Sequence, residues 1–302
     1  MDYVIYQLEF QAGVHFGDGM LSDTRNTFQA DTLFSALYIG ALKAGVEGWL
    51  YDAVSSGRLL FSDGFPYMND CYFIPKPMIY IDSGNKGNSS DKKKVKRLKY
   101  LPEGQLEGFL SGRMELDKDP MESFGEFSQR TMASVRTEKE TLPFQVGVYS
   151  YHEGNGLYVI VGYQEERLLG QVEDLLEILS YEGIGGKRAS GLGRFTFKKG
   201  KNGERLLGRL KKDGAYRMLL SAALPIKEDM ELALEGASYL LEKRSGFIAS
   251  DTYASEFRKK KDLYVFSAGS CFRHTFRGGV YDVSEGGSHP VYRYGMPMFM
   301  GV

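Results

Sequence analysis

Residues 183–195 read GIGGKRASGLGRF, with glycines at Gly183, Gly185, Gly186, Gly191 and Gly193, Lys187, Arg188 and Ser190 between them, and Arg194 behind. Glycine accepts positive φ and carries no side chain, so such a loop can lay its backbone against another surface and turn N–H groups outward. Two cations at its crest make a polyanion the natural guest. Tight turns and flexible linkers have similar composition, so the loop must be read with its setting. Upstream, EERLLGQVEDLLEILSYE places Leu168, Val172, Leu175, Leu176 and Leu179 at helical spacing. Downstream, RFTFK alternates Phe195 and Phe197 with polar neighbours, as a half-buried strand does. The loop therefore joins a helix to a strand, whereas both nucleotide fingerprints need a strand before a helix. Gly186-Lys187 is followed by Arg188 rather than the Ser or Thr of a P-loop. A mononucleotide cradle is disfavoured, and a longer phosphate backbone remains.

Working outward, Tyr3 to Phe10 alternates as a first strand and is followed by GVHFGDGMLSDTRN, a loop holding His15, Gly17, Gly19 and Arg25. Asp31 reads as the N-cap of a helix through Ala44, with Leu33, Leu37, Ala41 and Ala44 forming its apolar stripe. A short helix over 48–55, a strand near 59–62, a strand over 156–163 and the helix at 166–181 complete a βαββαβ order with RFTFK. That is the ferredoxin-like order, shared with the RNA-recognition fold. An insertion of about 75–143 separates its halves. Its first part, DSGNKGNSSDKKKVKRLK, carries Lys92, Lys93, Lys94, Lys96, Arg97 and Lys99 with almost no apolar content, and reads as a mobile, solvated loop. Its second part mixes Arg130, Arg136 and Lys139 with Phe127, Met132, Val135 and Phe144, and reads as a projecting hairpin or arm.

The charged joint KKGKNGERLLGRLKKDG marks a boundary near residue 200, giving domains 1–200 and 201–302. Strand-like stretches follow at 216–224, 262–267, 279–283 and 290–294, with weak helical character over 229–241. A chain of 302 residues suggests about two domains. Its 38 Lys and Arg against 39 Asp and Glu leave no global basic character, so a nucleic-acid site has to come from local clustering. Cys71 and Cys271 form no ligand cluster, which argues against structural zinc and a disulfide framework. No metal or cofactor is expected. The N-terminus lacks a secretory pattern and no stretch reaches membrane-spanning length, so the expected setting is cytoplasmic, without a membrane partner.

GVHFGDGML with ADTLFSAL, SVRTEKETLPF, GIGGKRASGLGRF, RSGFIAS, LYVFSAGSCF and HPVYRYG occur in this order across nearly the whole chain. In these pieces the sequence resembles the RAMP superfamily, and within it the family of the fourth Csm subunit of type III-A CRISPR interference complexes. The resemblance implies an α+β chain of two tandem ferredoxin-like (RRM-like) domains, the second degenerate, with a thumb-like insertion in the first. It implies a subunit that binds RNA without cutting it and holds the 5′ handle of the crRNA. Its implied partners are the large polymerase/cyclase-like CRISPR subunit, a backbone RAMP subunit of the Csm complex, and target RNA near the thumb. The lysine-rich stretch 86–99 has no counterpart in the resemblance.

For phosphate contact the chemistry points to Lys187, Arg188 and Arg194, with Ser190 and the backbone N–H groups of Gly185, Gly186 and Gly191 in support. A salt bridge at the strand start is the competing role for Arg194. Arg25, Arg130 and Arg136 are further RNA-contact candidates; Arg130 and Arg136 would share a face of an extended strand, against the alternative of a solvated surface. Phe127, Met132 and Val135 either pack the arm or wedge beside a base pair. His15 has three readings: an RNA or loop-ordering contact, a satisfied loop histidine, or the general base of a metal-independent endoribonuclease. Asp31 is an N-cap in preference to a metal ligand, His289, Arg293 and Tyr294 are fold or subunit contacts, and Arg258 to Lys261 form a solvated turn. A protein-only scaffold, in which the glycine loop merely packs, is the structural alternative.

Overall fold

The computed structural model describes residues 1–81, 95–114, 118–133, 142–250, 252–256 and 258–302. Its frame is an antiparallel sheet built on β10 (Asn155–Tyr163). β10 pairs with β1 (Asp2–Phe10) on one side, and on the other with β4 (Leu59–Phe61) and β5 (Phe65–Met68). β11 (Phe195–Lys199) adds to the free edge of β1, while β6 (Cys71–Pro75) and β7 (Tyr100–Pro102) continue beyond β5. In chain order the first half runs β1, then α1 (Ala30–Ala44) and α2 (Glu47–Ser55), then β4 and β5, then β10, then α3 (Glu166–Glu182), then β11.

Why β10 is apolar throughout follows from what covers it. Leu157, Val159 and Val161 join Tyr6 and Leu8 in a core with Leu33, Phe34 and Leu37 of α1 and Val172 and Leu176 of α3. The alternate residues, Tyr158 and Ile160, join Ile5 in a second core with Met218, Leu220, Met298 and Met300 from the other half of the chain. Strand side chains alternate between faces. A strand buried on both faces therefore loses its polar alternation, and LYVIV has none. Both cores draw on residues from either side of residue 200.

The second half is made of short pairings: β12 (Arg217–Leu219) between β15 (Cys271–Phe272) and β18 (Phe299–Gly301), β13 (Leu241–Arg244) with β14 (Leu263–Phe266), and β16 (Val280–Asp282) with β17 (Tyr292–Tyr294). The stretch read as weakly helical differs: a helix covers only Met230–Leu234, and 241–244 is strand. The joint near residue 200 contains α4 (Glu204–Leu210), which buries Leu206 under the sheet.

Buried ionic contacts lock the halves together, and they correct the reading of Asp31. The N-cap of α1 is Gln29, without a side-chain cap bond. Asp31 lies inside the first turn, 4% exposed, and accepts from Arg244 at 2.8 Å and Arg293 at 2.5 Å. Burial alone would raise its pKa, but the two guanidinium groups hold it below the ordinary carboxylate value. The capping role passes to Asp63, whose Oδ1 accepts from the N–H groups of Ala30 and Ala222, each at 2.8 Å. Lys260, expected in a solvated turn, is half-buried beside this cluster. Arg293 and Tyr294 behave as expected of fold contacts, Tyr294 through its hydroxyl bonds with the backbone of Phe61. Ala44, expected in the apolar stripe of α1, is exposed at its end.

Among the described residues no helix is long and apolar enough to cross a membrane, and no group of three or more His, Cys, Asp or Glu is placed to hold a metal ion. Cys71 and Cys271 are both free thiols.

Candidate nucleic-acid interface

The glycine loop owes its glycines mainly to contacts with its own chain. Gly183, Gly185, Gly191 and Gly193 have φ of +83°, +96°, +81° and +79°. A Cβ on Gly193 would stand 2.1 Å from the Ile184 carbonyl, and one on Gly185 would stand 2.7 Å from that of His15. The N–H of Gly186 donates to His15 O at 2.8 Å, and that of Gly191 to Arg188 O at 2.9 Å. The backbone support expected from these two N–H groups is therefore corrected: both are consumed inside the fold.

Lys187 adopts the left-handed conformation, φ 58° and ψ 30°, at the start of a one-turn 3-10 helix over Arg188–Ser190. L-residues other than Asn and Asp rarely sit there. Its Nζ lies 4.7 Å over the ring of Phe144. Arg188 is 3.5 Å from Glu182, which also receives Lys43 at 2.6 Å. Ser190 is exposed, and so is Arg194, which makes no ion pair with another described residue. That removes the salt-bridge alternative for Arg194 among these residues.

His15 is 6% exposed, and its Nδ1 lies 2.7 Å from the Gly147 carbonyl, so that nitrogen is the donor. Its ring and backbone carbonyl fill the space left by Gly185 and Gly186. It ties three segments together: its own loop, the glycine loop and the strand holding Gly147.

That strand is β9 (Pro143–Tyr151), which forms a hairpin with β8 (Gly125–Ala133). The arm expected in the insertion is thus a hairpin, and its tip at 134–141, with Val135, Arg136 and Lys139, lies outside the described residues. So does 82–94 of the lysine-rich stretch. Directly paired residues of antiparallel strands share a face, so the register gives the hairpin two. Phe144, Val146 and Val148 pack with Met132 around Leu192 of the glycine loop. Arg130 pairs with Val146 and is exposed on this same face, beside the crest. On the other face Phe127 pairs with Tyr149, and Gln129 pairs with Gly147, whose Cα lies against Ser22. Met132 therefore packs, whereas Phe127 is exposed.

The second face borders a cleft of about 840 Å³ between the halves of the chain. Its lining includes three carboxylates, Asp18, Asp63 and Glu242, and three cations, Arg25, Lys76 and Lys99. Arg25, at the end of β3 (Met20–Arg25), is ion-paired with Asp18 at 2.8 Å and with Glu242. Its charge is already matched on both sides. Lys76 turns its Nζ to the carbonyls of Val95 and Lys96, at 3.2 and 2.6 Å. The sequence reading missed this cleft because its walls come from segments as distant as Asp18 and Ala268. The local signal was Phe127, placed in the arm.

The folding pattern, an antiparallel-sheet α/β chain with this glycine loop after its second long helix, is of the RAMP-like class. A solved Csm3–Csm4 subcomplex of the type III-A CRISPR-Cas interference complex has a chain that superposes with a TM-score of 0.67 at 16% identity, covering 100% of this chain and 99% of that one. A Csm1–Csm4 cassette with AMPPNP gives 0.60 at 18% identity, covering 99% and 97%. Residues 212–302 match the family model described as the CRISPR Csm4 C-terminal domain. A Mycobacterium tuberculosis relative, named CRISPR system Cms protein Csm4, is 36% identical over 100% of this chain and 98% of its own length. A Streptococcus thermophilus relative of the same name is 34% identical over 99% and 98%. The chain belongs to the Csm4 family.

Proposed function

We propose that this chain is a non-catalytic RNA-binding subunit of a type III-A Csm effector complex, holding the 5′ handle of the crRNA. In this reading it joins the large polymerase/cyclase-like subunit to the first backbone subunit. The solved relatives support the partners, since their Csm4 chains are paired with Csm1 and with Csm3. Its architecture is read as two ferredoxin-like units, with the β8–β9 hairpin as the base of a thumb directed toward target RNA. The strand order β11-β1-β10-β5 supports this for the first unit.

The observation that carries RNA binding is the crest itself. Glycine N–H groups fix the loop to the fold, Ser190 and Arg194 are exposed with exposed Arg130 on the neighbouring hairpin, and Lys187 and Arg188 are half-buried, Arg188 near Glu182. Cations on a rigid ledge suit a phosphodiester track, whose neutralisation supplies affinity independent of sequence. His15 supports a non-catalytic role by its position: buried, one nitrogen committed to Gly147, it orders the loop.

The test is coexpression with the other subunits, comparing wild type with Lys187→Ala/Arg188→Ala for bound RNA and its 5′ ends. The reading predicts subunit copurification in both, with handle-bearing RNA depleted in the double variant. Unchanged RNA content would remove the loop from the account. Incubation of the purified chain with repeat RNA in EDTA checks the enzymatic rival: handle-length products lost on His15→Ala would establish cleavage instead.

A further inference from the structure

We infer that the cleft between the halves receives one unpaired base of the bound RNA, stacked on Phe127 and Tyr149 and read at its amino edge by Asp18 and Glu242. The inference rests on the proposed RNA-binding reading and adds a second, chemically distinct subsite to it. The crest is cationic, a place for phosphates. Across the same hairpin the cleft is concave, and its lining mixes carboxylates with cations. A phosphate gains little there, because Arg25 is already held between Asp18 and Glu242. A flat, neutral, hydrogen-bonding ring fits better.

Two features supply the contacts. Phe127 is 50% exposed although it sits on a paired strand, and its cross-strand partner is Tyr149, so two aromatic side chains stand on one face at the cleft wall. Single-stranded RNA is recognised by bases splayed onto aromatic side chains and bonded along their edges. The second feature is the acceptor edge. Arg25, Gln29 and Arg244 all approach Oε1 of Glu242, and Arg25 approaches Oδ1 of Asp18. Among the described residues, Oε2 and Oδ2 of these carboxylates accept no hydrogen bond. Carboxylate acceptors favour a base with an exocyclic amino group over uracil. Lys99, exposed at the cleft and last of the lysine-rich stretch, is placed for the phosphate flanking that base.

The experiment uses the full chain and single-stranded RNAs of one mixed sequence, each with 2-aminopurine at one position. Fluorescence should be quenched at one position or two adjacent ones. Phe127→Ala should abolish that quenching and weaken binding about tenfold, as loss of one stacked base does, with the salt slope unchanged. Phe127→Trp should restore it, and uridine at the responsive position should weaken wild-type binding. Lys187→Ala/Arg188→Ala should instead weaken all RNAs alike and flatten the salt dependence. Position-independent quenching, or a Phe127→Ala variant that binds as wild type while the double variant is impaired, overturns the base subsite alone. RNA binding indifferent to both variants overturns it together with the RNA-binding reading.

Discussion

Replacing Lys187 by glycine and by alanine separates what the residue does for the fold from what it does for RNA. Its backbone sits at φ 58°, where an L-side chain costs about 1–2 kcal/mol. The ammonium lies 4.7 Å over Phe144, a contact that contributes about 0.5–1 kcal/mol at an exposed site. Lys187→Ala keeps the backbone cost and loses the ring contact, so it should be less stable by about 0.5–1 kcal/mol. Lys187→Gly loses the same contact but relieves the left-handed strain. Its stability should fall within about 1 kcal/mol of wild type and above that of the alanine variant. Urea unfolding of the three proteins measures this order. RNA binding, followed by fluorescence anisotropy across a salt series, should not follow it. Both variants lose one phosphate contact, so the log–log salt slope should be shallower by about 0.7 in each. Affinities that track stability, or slopes equal to wild type, would refute the assignment of Lys187 to phosphate.

The buried clamp gives a second prediction: Asp31→Ala strands Arg244 and Arg293 in a buried site and should cost about 3–5 kcal/mol in denaturant unfolding. Acid should do the same to the wild type. Because Asp31 titrates below its ordinary 3.8 in the fold, its contribution is present above that pH and lost as pH falls through the folded value. Asp63 has the opposite sign. Burial outweighs its two backbone N–H bonds and pushes it up to about 7, so its contribution, complete below 3.8, disappears as pH rises through about 7. Asp63→Asn, which keeps an oxygen for Ala30 and Ala222, should flatten the pH dependence of stability over that interval. In the glycine loop, Gly191→Ala meets open space and only the φ penalty, about 1 kcal/mol, while Gly193→Ala drives a Cβ to 2.1 Å from Ile184 O and should destabilise by more than twice that, as thermal unfolding will show.

Local pattern made the first half legible. α3 was readable from its leucine spacing, and the strand after the loop from Phe195 and Phe197, because both bury one side against a single core. Less legible was what covers the far face of β10, although the unbroken LYVIV run records that both faces are covered. Asp31 reads as a cap in any local window; its partners Arg244 and Arg293 stand more than two hundred residues away. The second half is assembled from two- to four-residue strands, too short to print a period. At the site, the crest cations were visible as residue types beside glycine. The internal use of Gly186 and Gly191 N–H was not, since it depends on where His15 and Arg188 place their carbonyls. The cleft needed Phe127, Tyr149, Arg25 and Glu242 to meet in three dimensions.

Photocrosslinking addresses the central claim most directly. The assembled complex would be reconstituted with crRNA carrying 4-thiouridine in the 5′ handle, irradiated, and the crosslinked peptides of this chain mapped by mass spectrometry. The account predicts crosslinks on 183–194 and on the β8–β9 hairpin, diminished by Lys187→Ala/Arg188→Ala. Handle crosslinks confined to other subunits, or to surfaces of this chain remote from the crest and hairpin, would contradict it.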